Sequence, residues 1–439
     1  MPLQSYEMKD SGVEWIGEIP KEWTLSKMKS FLRNVSVKDH PDEQVLSLYR
    51  DYGVIPKDSR DDNHNVTSED TASYKYVEVG DLVINKMKAW QGSLGLSKYK
   101  GIVSPAYYVC KVNINGLNSK YLHHLLRSKK YAQEFERLST GMRIGQWDLG
   151  IDDFLKVPLI LPPISEQQSI ASYLDEKCAA IDEIIAEAKA TIDEYKSWKA
   201  SVIFETVTKG LNPNAEMKDS GVEWIGRIPK HWCVVPLKRF YDNSNGSAVR
   251  VGPFGSALSG SDITYEGVWV YNQRAVLDNN FETNNTFVSP EKAKELANFG
   301  VFPKDILITT RGSIGKIAIV PDNAPYGILH PCIIRFRIDE KKIDKHLLKY
   351  IFNDTDLIKQ QILYYSNSTT IDVLYSYTLK ELKLPLIPKN EQDEIIAYLD
   401  EKCAAIDGVI AEKEALIGEL ESYKKSLIFE TVTGKRRVC

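Results

Sequence analysis

Between residues 174 and 195 the apolar positions fall at Leu174, Cys178, Ile181, Ile185, Ala188, Ile192 and Tyr195, in alternating steps of four and three. A helix returns to the same face at that interval, so the spacing predicts a long helix with one heptad seam. The pattern recurs at Leu399, Cys403, Ile406, Ile410, Lys413, Ile417 and Leu420, interrupted only by Lys413. The predicted helices cover 166–206 and 391–431, about 40 residues or about 60 Å each. Ser165 and Gln168 have the spacing of a capping box, and Asn390 is placed to cap the second copy. Gly210 and Pro213 stop the first helix, and Gly434 the second. A helix with one apolar stripe must bury it, and the other copy is the nearest partner of matching register.

The segments before these helices read differently. Short apolar runs at 79–84 and 102–109 lie between Gly and Asn clusters, as strands do. Helical spacing over 120–138 runs through Leu122, Leu125, Leu126 and Phe135. Farther along, 268–271, 305–309, 316–320 and 333–338 read as strands, and 344–363 as the matching helix. Each block leaves through a similar exit, KVPLILPP at 156–163 and KLPLIPKN at 383–390.

Two repeats organise the chain. MKDSGVEWIGEIPKEW (8–23) returns as MKDSGVEWIGRIPKHW (217–232), differing only at Glu18/Arg227 and Glu22/His231. YLDEKCAAID (173–182, 398–407) and IFETVT (203–208, 428–433) return at a different offset, so the second intervening block is longer than the first. The chain therefore alternates a repeated entry segment, a divergent block and a repeated helix, twice over. Cores tolerate many volume-conserving swaps, so stability does not demand such near-identity. The repetition of Asp175, Glu176, Lys177 and Asp182 in the second helix suggests a surface read by another protein. The expected fold is α+β: two α/β domains joined by two long antiparallel coiled-coil helices, with boundaries at 1–163, 164–210, 211–389 and 390–439.

With 439 residues, 43% hydrophobic, the chain exceeds one ordinary core. No apolar run is long enough for a membrane span, and MPLQSYEMKD (1–10) lacks a basic region followed by an apolar run, so no secretory signal is expected. Its six cysteines form no CxxC pair, which fits a reduced, cytoplasmic protein without structural zinc. Net charge is −4, which excludes crude polycationic binding to nucleic acid. The charge is divided, however: 24–155 carries +3 and 233–385 +2, whereas 166–210 and 391–437 carry −4 each. Phosphate contacts are therefore expected in the divergent blocks.

Catalytic motifs are missing. TTRGSIGK (309–316) lacks the glycine spacing of a phosphate-binding loop and has no Ser or Thr after Lys316, so it reads as a glycine turn between strands. LPPI (161–164) lacks the residues that flank the Pro-Pro of amino-methyltransferases and reads as a rigid helix entry. His123 and His124 are adjacent, point to different faces of a helix and make a poor metal pair, with one expected to face solvent. Asp61-Asp62 and Asp152-Asp153 read as solvated loops. A non-catalytic chain with no metal and no cofactor of its own is expected.

This order of segments resembles the specificity subunit of a type I restriction-modification system. The resemblance rests on the duplicated W-I-G-x-I-P-x-x-W entry, VGDLVINKMKAWQGSLGLS (79–97), GPFGSAL (252–258), RGSIGKIAIV (311–320) and LPPISEQQSIASYLD (161–175), and spans essentially the whole chain. It implies two target-recognition domains, each reading one half of a split, asymmetric site in double-stranded DNA, with the helices fixing the gap. It further implies two methyltransferase subunits, which flip and methylate adenine, and translocating endonuclease subunits, with no membrane involved. Two copies of one partner need two copies of one docking surface, while unequal half-sites need divergent readers.

Base edges are read by Arg, Lys, Asn, Gln, Ser and Thr. In the first block the polar, aromatic-interleaved stretches are 47–53, 86–92 and 140–147, giving Arg50, Lys86, Lys88, Arg143 and Gln146 as candidates. In the second, 250–256, 272–274, 309–313 and 366–370 give Arg250, Asn272, Gln273, Arg274, Arg311 and Thr369. Two other classes share parts of this pattern. They are the specificity chain of a related bipartite-site restriction-modification enzyme and a coiled-coil adaptor scaffold that binds no DNA.

Overall fold

The computed structural model describes residues 6–50, 53–59, 71–141, 147–244, 246–254, 256–283, 285–365 and 373–438. The heptad seams form two long helices, Ile164–Lys209 and Lys389–Val432. Both begin earlier than expected, so Ser165 and Asn390 lie inside the first turn instead of capping it. Gln168 instead accepts a hydrogen bond from the Asn118 side-chain amide at 2.5 Å. The chain forms two compact units whose boundaries fall inside the helices: Met1–Lys189 with Lys413–Cys439, and Ala190–Glu412.

In the first unit a four-stranded antiparallel sheet has the order Leu32–Val35, Tyr107–Val112, Leu82–Asn85, Leu94–Leu96. In the second the corresponding sheet runs Val249–Val251, Ile333–Phe336, Ile306–Thr309, Ile317–Ile319. The run at 102–109 is two strands, Gly101–Val103 and Tyr107–Val112, because a turn at Ser104 and Tyr107 divides it. The helix expected over 120–138 breaks at Ser128 into Ser119–Arg127 and Lys129–Leu138. That expected over 344–363 likewise divides into Lys345–Asn353 and Leu357–Tyr365. The second unit adds a five-stranded mixed sheet whose parallel pair joins Val268–Tyr271 to Gly327–Leu329.

Each unit closes around a buried entry tryptophan. Trp23 donates to Glu166 Oε2 at 2.9 Å, and Trp232 to Glu391 Oε2 at 3.1 Å. The second carboxylate oxygen has a different partner in each copy. Tyr6 supplies its hydroxyl to Glu166, whereas His231 Nε2 lies 2.7 Å from Glu391 Oε1. One of the two differences between the entry segments, Glu22/His231, is thus offset by Tyr6 against Ala215. Gly434 and Gly210 end the helices at φ +73° and lie against Trp23 and Trp232 respectively.

A buried glutamine pins each helix to its own sheet domain. Gln167 donates to the carbonyls of Gly116 and Pro162 and accepts from Asn118 N at 2.8 Å. Gln392 repeats this with Lys342, Ile387 and Asp344 N. The helices run antiparallel within each unit, with Leu174, Ile181 and Ile185 sharing a core with Leu427 and Val432.

Part of the repeated helix surface has an internal purpose, which corrects the view that its four charged residues serve a partner. Asp175 is held by Lys120 and His124 at 2.7 and 2.8 Å, and Asp400 by the Tyr350 hydroxyl at 2.6 Å. Asp182 pairs with Lys424, and Asp407 with Lys199. Glu176 and Lys177 remain exposed. Neither His123 nor His124 faces solvent freely, because this helix packs against both the sheet and Asp175. Burial pushes the His123 imidazole down to about 3. Asp152 and Asp153 lie in the first turn of a helix, Ile151–Lys156, where acidic groups favour the dipole, instead of in a loop.

Candidate nucleic-acid interface

In both units the turn that follows the third-ordered strand of the four-stranded sheet is stapled to the segment before a short closing helix. In the first unit Leu149 N donates to Lys86 O at 3.0 Å, and Lys86 Nζ meets Asp148 Oδ2 at 2.7 Å. In the second, Leu374 N donates to Thr310 O at 2.9 Å, and Arg311 bridges to Val373. Each unit therefore ties this turn to the segment before its closing helix at one end of the sheet.

The first end is basic and aromatic. The hydrogen bond to Asp148 raises the Lys86 ammonium above the ordinary lysine value. Lys75 is held below it by burial, then by the nearby charges of Lys38 and Lys86. Its Nζ donates to Tyr107 O at 2.6 Å and lies 5.5 Å from the Tyr108 ring. The rings of Trp90 and Trp147 sit 5.5 Å apart, on the segments that carry Lys86 and its partner Asp148, with the Trp90 indole N–H donating to Met87 O. Lys88 is exposed in the same turn. Arg50 is exposed in the turn after Leu46–Tyr49, and its carbonyl accepts from the Arg127 guanidinium, which also reaches Leu94 O. Arg143 and Gln146 lie outside the described residues.

At the second end Asn272 caps the helix Gln273–Leu277 by accepting from Arg274 N and Ala275 N, while its amide donates to Thr286. Gln273 Nε2 donates to Arg311 O at 2.7 Å, so these two candidates share one loop cluster. Arg274 is largely exposed and pairs loosely with Asp278 at 3.5 Å. An open cavity of about 320 Å³ is lined by Asn272, Arg274, Asp278, Asn280 and Thr283, among others. Asn272 thus has a capping role besides any contact it makes with DNA. Arg250 is separate from this cluster, in the edge strand facing Arg335. Thr369 lies outside the described residues.

The fold adds to the side chains near these ends Lys75, Trp90, Trp147 and the exposed pair Tyr375 and Tyr377, whose rings stack 5.4 Å apart. The two tryptophans stood inside the stretches singled out above, where only hydrogen-bonding side chains were chosen. Lys75 becomes visible only when the fold brings Lys38 and Lys86 beside it. Among the described residues no group of three His, Cys, Asp or Glu side chains could hold a metal ion, and no helix is long and apolar enough to cross a membrane.

Two repeated helices carry two divergent sheet domains, each built on a four-stranded antiparallel sheet of the same order. The family model of the type I restriction modification DNA specificity domain matches the chain twice, over 20–194 and 256–415. The chain is 26% identical over 457 aligned positions to the putative type I restriction enzyme MjaX specificity subunit of Methanocaldococcus jannaschii, covering 99% of both. It is 21% identical to the StySPI specificity subunit of Salmonella potsdam, covering 95% of this chain and 90% of that one. A solved chain from work on complex assembly and conformational transition of the type I R-M system shares the fold, with TM-score 0.68 and 16% identity over 95% of this chain and 99% of that one. The chain belongs to the type I restriction-modification DNA specificity family, whose members are the non-catalytic specificity subunits of such systems.

Proposed function

We propose that each unit reads one half of a bipartite, asymmetric site in double-stranded DNA, and that the paired helices fix the unread gap and carry two copies of a methyltransferase subunit. The observation that carries this reading is the double construction. The Trp–Glu junction, the buried glutamine and the Asp–Lys pair are each built twice, while the loops at the two sheet ends differ in sequence and chemistry. A duplicated frame fits one partner bound twice, and divergent ends fit two different half-sites. On each helix the exposed groups at matching positions include Glu176, Lys177 and Trp198, and Glu401, Lys402 and Tyr423. Trp198 is 52% exposed and Tyr423 49%, as expected of anchors for a helical partner. Base flipping, adenine methylation, translocation and cleavage belong in this reading to the partner subunits.

Candidate base readers are Arg50, Lys86, Lys88, Arg143 and Gln146 in the first unit. In the second they are Asn272, Gln273, Arg274, Arg311 and Thr369, with Arg250 set back from them. The test is to assemble the chain with its methyltransferase and map methylated adenines, then exchange residues 24–155 for another family member's block. One half-site should change while the other half and the gap stay. A swap that altered both halves would overturn independent reading, and a chain that directed no methylation would overturn the whole assignment.

A further inference from the structure

The edge strand of the second unit's four-stranded sheet places Arg250 directly opposite Arg335. Like charges opposite each other on one sheet face repel, and here the face is mostly shielded from water. Arg337 lies two residues beyond Arg335. Among the described residues, the one carboxylate that pairs with any of these three is Asp305, 2.5 Å from Arg337 Nε and 3.6 Å from Arg335 Nη1. Arg335 Nη1 also donates to Gly300 O. Arg335 is 6% exposed, and the Nε groups of both Arg335 and Arg250 are buried without a hydrogen bond to the protein. Burial lowers the Arg335 guanidinium from its ordinary value; Asp305 opposes that, and Arg337 and Arg250 add to it.

The first unit supplies the control. There Asp81 occupies the place of Asp305, accepting from Glu78 N as Asp305 accepts from Phe302 N, and it pairs with Lys111 as Asp305 pairs with Arg337. At the positions of Arg250 and Arg335, however, the first unit has Val35 opposite Val109. The fold is satisfied by an apolar pair at this point, so bracing Asp305 does not account for Arg250.

We propose that Arg250 and Arg335 form an oxyanion site that takes one phosphodiester of the DNA backbone beside the second half-site. A guanidinium fork matches two phosphate oxygens, and a phosphate between the two arginines turns their repulsion into a shared contact. The location favours DNA over a free anion. From Arg250 the chain runs to Gly252, which donates to Ile333 O at 2.9 Å, and on to Phe254, 82% exposed, on the loop at the sheet's recognition end. The proposal rests on the DNA-reading function above and assigns Arg250 to positioning on the backbone, not to base readout.

The experiment uses the full chain, the double variant Arg250→Val/Arg335→Val copied from the first unit, and Arg250→Gln. Far-UV circular dichroism establishes that each is folded. Affinity for a fluorescent random-sequence duplex is measured across a salt series, and thermal melting is compared in inorganic phosphate and in chloride at matched ionic strength. The expected result is a log–log salt slope about one unit shallower in both variants, with weaker binding. A folded double variant with wild-type slope and affinity overturns the proposal. Phosphate protection of the wild type that disappears in the double variant, with no change in the duplex slope, assigns the site to a free anion and also overturns it. If the wild type binds no duplex at all, the DNA-reading function fails. The phosphate arm then still tells whether the arginines bind an anion, so the two failures are distinct.

Discussion

Lys424 Nζ lies 2.6 Å from both carboxylate oxygens of Asp182, and Lys199 makes the same contact with Asp407 at 2.8 and 2.6 Å. The two pairs use the same two positions of the repeat, exchanged between helices. Antiparallel pairing of equal helices produces that reciprocity, and it explains why these letters are repeated.

The pairs are partly exposed, so each contributes little to stability, roughly 0.2–1 kcal/mol. Lys424→Asp is expected to lower the urea midpoint, and Asp182→Lys in the same chain to restore most of it. A double-mutant cycle measures the coupling. A coupling of zero would leave the register to the apolar seam alone.

The helix ends are less forgiving. A Cβ on Gly434 would lie 2.2 Å from Pro20 Cγ and 2.3 Å from Pro20 Cδ, whereas one on Gly210 would meet Trp232 at 3.3 Å. Both residues have positive φ, which costs an alanine about 1–2 kcal/mol. Gly434→Ala is therefore expected to destabilise the chain more than Gly210→Ala, in denaturation midpoints measured side by side.

Periodicity was sufficient to place both long helices, because a seam of seven apolar positions outweighs local noise. Most short strands were legible for the same reason. Helix breaks at Ser128 and near Asp354 were not, since apolar spacing runs through them and the break depends on packing against the sheet. The loops at the sheet ends were legible as stretches rather than as residues. KMKAWQG contains Lys86 and Trp90, but only the fold brings Asp148 to one and Trp147 to the other. The charge of Asp175 looked like a partner's target because its internal partners, Lys120 and His124, stand more than fifty residues away in sequence.

Acid should weaken the first unit through two neighbouring histidines. His123 is neutral when folded, its imidazole pushed down to about 3 by burial, then by Arg127 and His124. His124 is also lowered, chiefly by burial. The unfolded chain takes up these protons near pH 6.5, so the folded state is fully favoured above that pH and loses stability as pH falls toward the folded values. Between pH 7 and 5 the expected loss is about 1–2 kcal/mol. His123→Gln should flatten the dependence of melting temperature on pH in this range. The corresponding helix of the second unit carries Lys349 and Tyr350 at these two positions, and in that unit it is His330 that burial lowers.

Trp90 and Trp147 provide an optical test of the first recognition end. Duplex DNA should quench tryptophan fluorescence, and Trp147→Phe should remove much of the change. Trp147→Ala should weaken duplex binding about tenfold, or ~1.4 kcal/mol. Unaltered quenching and affinity would place DNA away from this end.

The helices should also act as a ruler, and their pairing says how to lengthen it. The residue numbers of Asp182 and Lys424 add to the same total as those of Lys199 and Asp407, as antiparallel register requires. Seven residues inserted after Ile185 shift Lys199 but not Asp182, and seven inserted after Ile410 shift Lys424 but not Asp407. Made together, the insertions raise both totals equally, so both pairs can form; made singly, they put one pair out of register. A heptad also preserves the seam, and it lengthens each helix by about 10 Å. At 3.4 Å per base pair that corresponds to roughly three base pairs, with the change in DNA phase that accompanies them. The matched variant is therefore expected to lengthen the unread gap while both half-sites stay the same, and the single insertions to lose stability and activity. Mapping methylated adenines for all three variants checks this. Full activity with an unchanged gap in the matched variant would mean that something other than these helices sets the spacing.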